Sequence, residues 1–467
     1  MPLKPILYIV CVLATYSLMA QPCAGDRSSR PLAEVLRETE VRFGVRIHCK
    51  RFAADTVGLT YADFRVRPYS LAQTLDNLLH PLDLVWTQVS ESGGVQAGKQ
   101  GGTITVQPYE YHRRTPADGA ELLTWLSSRY DDRAAWEQRQ QNVLADVRSA
   151  QALDPFIRGL VPDAEMRLGT VVRHDGYTTQ NYALETLPGL YVCGTIYAPR
   201  TRGRHPLIVS PAGHWEGGRY RPDQQLRMAT FARMGAVAVD MDIFGWGESE
   251  LQVGREAHTA PYAMQVQVLW SKVVTDRIVA GRRDVDTTRM AATGGSGGAT
   301  HALLLAVVDG RFAALAPVVH LVSHFDGGCP CESGRPVTLA GGGSCMPEIL
   351  AAAMAPKPVL TVSDGGDWTA TYPTLEYPFL RRIWGFYGVE DRVENAHFPD
   401  EQHDYGVNKR RAVYDFFVRT LGLDPKMADE MKVTVQPESA LRSFTGGLPP
   451  KALRTRAELE RIIENLP

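Results

Sequence analysis

Residues 32 to 49 have the pattern of a helix followed by a strand. Apolar residues recur at helical spacing over residues 32 to 43, at Leu32, Val35, Leu36 and Phe43. Gly44 then ends the predicted helix. The next residues alternate apolar and polar side chains, with Val45, Ile47 and Cys49 on the apolar side. We expect this helix to pack on one face of the strand.

A second helix-then-strand pattern follows. Ser70 can cap a helix that ends at Pro81, and its leucines share one face: Leu71, Leu75, Leu78 and Leu79. Two predicted strands, 84–86 and 103–106, flank a hairpin that contains Gly93 and Gly94. Together these elements predict a small α+β module over residues 30–108. Its layout resembles the short N-terminal domain of secretins and TonB-dependent receptors, which makes it a candidate contact for another protein.

Residues 115–160 have a helical pattern. Between residues 120 and 150 the chain contains no glycine or proline, and apolar residues recur at helical spacing: Leu122, Leu123, Trp125, Leu126, Trp136, Val143, Leu144 and Val147. We therefore predict a helical linker that bridges two domains.

After Pro162 the pattern changes to short apolar strands separated by helical stretches. Seven strands are predicted, over residues 191–197, 207–210, 236–241, 289–293, 313–319, 359–362 and 393–397. Strands that alternate with helices form parallel βαβ units, so residues 161–425 predict an α/β domain with a doubly wound, mostly parallel sheet. Ligand sites in such sheets lie at the carboxyl ends of the strands. Residues 426–467 are predicted to form a C-terminal extension.

Composition and charge exclude several classes of protein. The 467 residues include 50 Lys plus Arg and 52 Asp plus Glu, a formal net charge of −2. No bulk field therefore attracts nucleic acid or an anionic membrane surface. The 44% hydrophobic and 22% charged residues are typical of a globular protein and exclude a disordered chain or a multispan membrane protein.

Residues 1–20 have the features of a secretory signal peptide. Lys4 precedes an apolar run from Pro5 to Ala14, and Ala20 offers a small residue for cleavage. A membrane anchor needs about 20 apolar residues, more than this run provides. We expect an exported protein, periplasmic or at the cell surface. Cys23 leaves a lipoprotein as an alternative.

Three cysteines lie in one glycine-rich loop. Cys329 and Cys331 form a C-x-C pair, and Cys345 follows in the same loop. The pattern has no fourth cysteine and no histidine at metal-binding spacing, so we expect a disulfide within the loop and not a zinc site. The pattern does not indicate which two cysteines pair. No metal and no cofactor are expected.

The segment from Gly294 to Gly298 has the pattern of a nucleophile elbow. The sequence Gly-Gly-Ser-Gly-Gly follows a predicted strand and precedes a helical run from Ala299 to Val308, the context that a G-x-S-x-G elbow requires. The glycines leave room for the strand and helix on either side of Ser296. Ser296 is therefore the candidate nucleophile.

A serine hydroxyl needs a base to take its proton and an acid to orient that base. His403 follows the last predicted strand by a loop and precedes the final helix, so it is the candidate base. Asp367 follows the strand before it and is the preferred acid, with Asp364 and Glu376 as rivals. His397, on the strand itself, is interpreted as a packed or hydrogen-bonded histidine, and the same interpretation applies to His301, His320 and His324.

An oxyanion needs two backbone N–H donors. One comes from the residue after the nucleophile, Gly297, and the other from the loop after an early strand, at Gly213 and His214. His214 can present either its amide or its ring. The glycines of that loop let its backbone approach a substrate closely.

Five segments together resemble the acetylxylan-esterase-like and dienelactone-hydrolase-like branch of the α/β-hydrolases: Gly213-His214 with Gly217-Gly218, residues 242–249, the elbow at 294–298, Asp367-Trp368-Thr369 and His403-Asp404-Tyr405. The resemblance spans about residues 160 to 425 and implies an α/β-hydrolase fold. It also implies Ser296, Asp367 and His403 as nucleophile, acid and base, with Gly297, Gly213 and His214 at the oxyanion hole. The long cysteine-containing loop departs from the family pattern.

Three tryptophans follow strands near the predicted site and are candidate sugar-stacking residues: Trp215, Trp246 and Trp368. The first hypothesis is an exported serine esterase of acetylxylan type that acts on a small-molecule or polysaccharide ester. An esterase or peptidase for a non-carbohydrate acyl substrate is one alternative. A catalytically idle sensor or scaffold is another, and fold alone does not decide among them.

Overall fold

The computed structural model describes residues 30–60, 62–89, 102–333 and 336–467. The chain divides into two compact units, Met1–Tyr111 and His112–Pro467. The predicted signal peptide 1–20, the lipoprotein candidate Cys23, and the hairpin residues Gly93 and Gly94 lie outside the described residues.

The first unit is a small α+β fold. Its strands are β1 (Arg30–Pro31), β2 (Arg46–Cys49), β3 (Gly58–Leu59), β4 (Leu84–Val89) and β5 (Thr103–Pro108). Its helices are α1 (Leu32–Phe43), α2 (Ala62–Arg65) and α3 (Leu71–Leu79). Strand β5 lies between β2, to which it is parallel, and β4, to which it is antiparallel, while β1 pairs with β3.

Local sequence signals explain both longer helices of this unit. Gly44 ends α1 with a left-handed φ of 63°, a conformation that glycine adopts without a Cβ penalty. The Ser70 hydroxyl accepts a hydrogen bond from the Gln73 N–H and caps α3. The leucine faces of both helices pack with Ile104 and Val106 of β5 in one core. The predicted α+β module is confirmed.

The second unit contains a ten-stranded sheet. Its strands are β6 (Arg167–Leu168), β7 (Val172–Arg173), β8 (Tyr177–Glu185), β9 (Tyr191–Pro199), β10 (His205–Val209), β11 (Val237–Val239), β12 (Val285–Gly295), β13 (Ala314–Val318), β14 (Val359–Asp364) and β15 (Val393–Phe398). The order is β15-β14-β13-β12-β10-β11-β9-β8-β6, and β7 also pairs with β8. Strands β10 to β15 are parallel, whereas β6 to β9 form an antiparallel edge.

Helices cover the sheet and include α4 (Pro116–Ser127), α5 (Arg133–Gln151), α6 (Asp154–Arg158), α7 (Pro222–Arg233), α8 (Glu250–Val253), α9 (Ala263–Gly281), α10 (Gly297–Val308), α11 (Pro330–Ser333), α12 (Met346–Met354), α13 (Glu376–Gly385), α14 (Val407–Leu421), α15 (Glu438–Leu441) and α16 (Arg456–Glu464). Two large cores form, one of which includes Leu303 of α10 and the other Phe416 of α14. The predicted doubly wound α/β fold is confirmed.

The predicted helical linker 115–160 is wrong in its role. The helical segment is interrupted between α4 and α5. Asp132 caps the second helix by accepting a hydrogen bond from the Ala135 N–H. Helix α5 buries Trp136 and packs against α12, and Arg139 pairs with Glu348 at 2.6 Å. The apolar faces of α4 and α5 pack in the larger core. Both helices therefore belong to the second unit and do not bridge two domains.

The C-terminal extension 426–467 also belongs to the second unit. Thr455 caps α16, and Leu459 of that helix is fully buried in the main core. Within the described ranges, no helix combines the length and the apolar character needed to cross a bilayer.

Candidate active site

Ser296 lies in a strained turn between β12 and α10. Its φ of 53° and ψ of −128° are conformations that residues other than glycine rarely adopt. The Ser296 N–H donates to the Val318 carbonyl of the neighbouring strand, which holds the turn. A Cβ on Gly294 would collide with the backbone of Gly298, so the strand and helix can meet this closely only because residue 294 has no Cβ. The sequence Gly294–Gly298 therefore forms the predicted elbow geometry, with Ser296 partly exposed.

A continuous hydrogen-bonded path joins Ser296, His403 and Asp367. His403 Nε2 lies 3.0 Å from Ser296 Oγ, and His403 Nδ1 lies 2.5 Å from Asp367 Oδ2. These residues follow β12, β15 and β14, whose carboxyl ends meet at one edge of the sheet. A serine hydroxyl whose proton can pass to an oriented imidazole is suited to nucleophilic attack.

Asp367 is held in place by a second residue. Its Oδ1 accepts hydrogen bonds from both the backbone N–H and the hydroxyl of Thr369, each at 2.5 Å. Burial alone would raise the pKa of Asp367, but the hydrogen bonds from His403 and Thr369 outweigh burial and lower that pKa. The carboxylate is therefore ionised at neutral pH.

The two rival acids have other partners. The Asp364 carboxylate lies 2.8 Å from the ammonium of Lys409, and both side chains are fully buried. Glu376 accepts hydrogen bonds from the N–H and hydroxyl of Ser323 and from the Thr371 hydroxyl. Neither carboxylate makes a hydrogen bond to His403.

The predicted oxyanion loop lies against the elbow. A Cβ on Gly298 would sit 2.5 Å from the Pro211 carbonyl, and one on Gly213 would press on the carbonyl of Gly295. The Gly297 N–H is at the start of α10, where helix N–H groups have no intrahelical acceptor. The His214 ring nitrogens are engaged elsewhere, with Nε2 lying 2.9 Å from Cys331 Sγ and Nδ1 lying 2.6 Å from the Glu332 carboxylate. His214 can therefore contribute to an oxyanion hole through its backbone.

Two of the three predicted tryptophans flank the imidazole of His403. The ring centroid of Trp368 lies 4.5 Å from that of His403, and the centroid of Trp215 lies 5.5 Å away. Trp246 instead packs beside His214 and His258, at 5.7 and 5.6 Å, and under the guanidinium of Arg255. The structure therefore brings Trp215 and Trp368 to the triad, whereas Trp246 lies behind the oxyanion loop.

His320 was interpreted from the sequence as an ordinary packed histidine. It is 3% exposed, and neither ring nitrogen has a hydrogen-bond partner among the described residues. Its neighbours Val319 and Leu321 have φ values of 49° and 65°, strained for residues with a Cβ. Its ring centroid lies 5.9 Å from that of Trp368. Buried unpaired nitrogens next to strained backbone make His320 a candidate substrate contact that spacing alone did not indicate.

The predicted disulfide in the cysteine loop is wrong. All the cysteines of the described residues are free, and Cys329 Sγ lies 3.3 Å from Cys331 Sγ, whereas a disulfide bond measures about 2.05 Å. Both thiols instead face the imidazoles of His214 and His258. These two histidines lie far from the cysteines in the sequence, so local spacing did not indicate them.

Comparisons with known proteins agree with this geometry. The model of the acetyl xylan esterase family matches residues 163–332. The solved structure of Methylesterase BT1017 is 49% identical, covers 94% of this chain and 98% of its own, and has a TM-score of 0.83. The chain belongs to the acetyl-xylan-esterase-like family of α/β-hydrolases. It is a carboxylic ester hydrolase.

Two more distant esterases are also similar to parts of the chain. A glucuronoyl esterase from Solibacter usitatus is 13% identical, covers 61% of this chain and 93% of its own, and has a TM-score of 0.45. Acetyl Xylan Esterase 1 from a Thermoanaerobacterium species is 16% identical, covers 59% and 93%, and has a TM-score of 0.39. Among curated proteins, no significant match to the chain is found.

Proposed function

We propose that this esterase cleaves carbohydrate esters through an acyl-enzyme, with Ser296 as nucleophile, His403 as base and Asp367 as acid. The observation that carries the proposal is the hydrogen-bonded path from Asp367 through His403 to Ser296, with distances of 2.5 and 3.0 Å. Ser296 is partly exposed, so a substrate carbonyl can reach it.

The proposed reaction has two halves. Ser296 Oγ attacks the ester carbonyl carbon while its proton passes to His403 Nε2, and a tetrahedral intermediate forms. The C–O bond to the alcohol then breaks, His403 returns the proton to the leaving oxygen, and an acyl-enzyme remains. Water attacks this ester in the same way, which releases the carboxylic acid and restores Ser296.

Asp367 and the two backbone loops have supporting roles in this reaction. The Asp367 carboxylate accepts from His403 Nδ1, which keeps the lone pair on Nε2 facing Ser296. The N–H groups of Gly297 and of the Gly213–His214 loop are the proposed donors to the oxyanion. The close packing of the elbow on the 211–214 loop supports this role, since it brings the two backbones together.

The surroundings of His403 suit a sugar. Trp215 and Trp368 flank the imidazole and are both half-buried, so each offers part of an aromatic face next to the nucleophile. Aromatic faces stack well on the apolar faces of sugar rings. We propose that these two side chains hold the carbohydrate part of the substrate.

Two ester types place the sugar differently. In a methyl ester of a sugar acid, the sugar is the acyl group and methanol leaves, whereas in an acetylated sugar the sugar is the leaving alcohol. The methylesterase relative favours the first, because its similarity covers nearly the whole chain. The acetyl xylan esterase model favours the second, but its match ends at residue 332, before Asp367 and His403. We propose methyl ester hydrolysis as the main activity.

Product analysis tests both the type of ester that is cleaved and the role of Ser296. The enzyme is incubated with a methyl-esterified uronic acid oligosaccharide and, separately, with acetylated xylo-oligosaccharide, and methanol and acetate are measured. We expect faster release of methanol, and no product from Ser296→Ala. Ser363 is a matched control, because its hydroxyl also bonds a histidine, His397 Nδ1, at 2.9 Å. Ser363→Ala should keep activity.

Each outcome has a separate meaning. Acetate release without methanol release would replace the methyl ester assignment with the acetyl ester while leaving the triad intact. Wild-type product release by Ser296→Ala would overturn the serine mechanism itself.

We also propose that residues 1–20 direct export, supported by the apolar run behind Lys4. Peptide mapping of the protein from the cell envelope should find a mature terminus near Gln21. A lipid on Cys23 would assign the lipoprotein alternative, and a retained leader in a cytoplasmic protein would contradict export.

The N-terminal unit is a proposed contact for another protein, to be tested by crosslinking with the unit present and deleted.

A further inference from the structure

Four side chains from three separate loops meet behind the oxyanion loop. His214 follows β10, His258 lies between α8 and α9, and Cys329 and Cys331 lie at the start of α11. One nitrogen or sulfur of each lies within 4.8 Å of the others. We call these four residues the His₂Cys₂ cluster.

The spacing within the cluster matches a tetrahedral metal site. His214 Nε2 lies 2.9 Å from Cys331 Sγ and 3.9 Å from Cys329 Sγ. Cys331 Sγ lies 3.6 Å from His258 Nε2 and 3.3 Å from Cys329 Sγ. Zinc bonds of about 2.3 Å to sulfur and about 2.0 to 2.1 Å to nitrogen at tetrahedral angles place the ligand atoms about 3.3 to 3.8 Å apart. The four observed separations run from 2.9 to 3.9 Å and so extend somewhat below and slightly above that range.

Both imidazoles present the ring nitrogen that a metal needs. His258 Nδ1 lies 2.9 Å from the Phe244 carbonyl, which can only accept a hydrogen bond, so the proton is on Nδ1. His214 Nδ1 lies 2.6 Å from the Glu332 carboxylate, which favours the same tautomer. The lone pairs on both Nε2 atoms therefore face the thiols. Metal-binding histidines commonly have a carbonyl or carboxylate at the other ring nitrogen.

Burial and charge also fit a closed site. Cys331 is 0% exposed and His258 is 8% exposed, whereas His214 and Cys329 are partly buried, so most of the cluster is shielded from solvent. Two thiolates would balance the charge of a divalent cation in this poorly solvated place. Two sulfurs and two imidazole nitrogens at tetrahedral spacing are the ligand set typical of structural zinc.

We propose that the His₂Cys₂ cluster binds one Zn²⁺ as a structural metal, with all four positions taken by protein ligands. The two thiols release their protons to solvent when the metal binds. Because all four positions are filled, the zinc holds no water for hydrolysis and is not the nucleophile. It links the oxyanion loop, the His258 segment and the cysteine loop.

This link lies directly against the elbow. A Cβ on Gly297 would collide with the His214 ring and with the Glu332 carboxylate, so both residues support the backbone that follows Ser296. A metal on His214 would fix the loop whose N–H groups face a bound substrate. This positioning role rests on the proposed function, whereas metal binding itself does not.

A second group of possible ligands in the described part of the chain has another explanation. Cys193, Asp242 and Glu248 also lie close together, but the buried guanidinium of Arg219 lies 2.6 Å from Asp242 and 3.0 Å from Glu248. Arg219 already compensates both carboxylates, so this group carries no metal proposal.

The test measures metal content and coordination in the full chain, without using activity. Purified wild-type protein is exposed to Zn²⁺, dialysed and analysed for metal by mass spectrometry. We expect one zinc per chain, and we expect Co²⁺ in its place to give the visible bands of tetrahedral cobalt with a sulfur charge-transfer band. Cys329→Ser and His258→Gln should lose both signals. Cys345→Ser is the matched control, because this buried thiol of the same loop lies outside the cluster.

Glu332→Gln separates a metal site from a simple packing role. The carboxylate touches His214 but no metal, so its loss should weaken Zn²⁺ binding about 10- to 100-fold without abolishing it. Failure of wild-type protein to hold Zn²⁺ or Co²⁺ would overturn the proposal even if the variants do not fold. A Cys329–Cys331 disulfide in peptide maps of the native protein, or equal metal loss in Cys345→Ser, would also overturn it.

Discussion

Asp367→Asn tests how the acid orients the base. Asp367 Oδ1 accepts two hydrogen bonds from Thr369, so in the variant the amide oxygen must take that position. The amide NH₂ then faces His403 Nδ1, which must accept, and the ring proton moves to Nε2. A protonated Nε2 cannot take the proton of Ser296. In serine proteases this tautomer change costs on the order of 10⁴ in kcat, or about 5.4 kcal/mol in activation free energy.

The assay is the kcat for an aryl acetate near pH 7 to 8, with circular dichroism to confirm folding. Asp364→Asn is the matched control, since Asp364 follows the same strand but pairs with Lys409. It should lower the melting temperature because it breaks a buried ion pair, while kcat stays near wild type. If Asp367→Asn keeps kcat within tenfold of wild type while Asp364→Asn is inactive, the assignment of the acid is wrong.

Three further predictions follow from packing and charge. Deleting residues 21–110 should leave kcat for a soluble ester largely unchanged, since the triad lies in the second unit; a folded but inactive product would contradict this. Gly298→Ala places a Cβ 2.5 Å from the Pro211 carbonyl and should lower kcat on the order of 10² by displacing the oxyanion loop; unchanged kcat would refute that role. Burial alone would raise the pKa of Glu376, but the neighbouring His324 imidazole at 3.7 Å and the hydrogen bonds from Ser323 lower it below 4.5, so its stabilisation is lost as pH falls through that lowered value. In denaturant titrations the difference in free energy of unfolding between wild type and Glu376→Gln should therefore become smaller below pH 4.5. A difference that does not change with pH would contradict this.

Local sequence signals predicted the elbow and its partners well. Glycines on both sides of Ser296, between a strand and a helix, specify a turn that few other functions require. Chain order then limited the base and the acid to loops after the last strands, where the structure places His403 and Asp367 next to Ser296. Order could not separate Asp367 from Asp364, because both follow β14 and only their hydrogen-bond partners differ.

Contacts between distant segments were not predictable in this way. His214 and His258 lie 117 and 73 residues from Cys331, so no local spacing indicates that they meet its thiol. Trp246 follows a strand at the correct edge of the sheet, yet it packs behind the oxyanion loop. Helix α5 has an amphipathic pattern that does not reveal which core it joins. In each case the tertiary fold, and not the local pattern, selects the partner.

Active-site labelling tests most directly whether Ser296 is the nucleophile. A fluorophosphonate accepts the Ser296 oxygen at phosphorus and loses fluoride, while His403 takes the serine proton. We predict one label per chain on the peptide that contains Ser296, none in Ser296→Ala, and slow labelling in His403→Asn. A label on another residue, or full esterase activity in protein that resists labelling, would contradict the account.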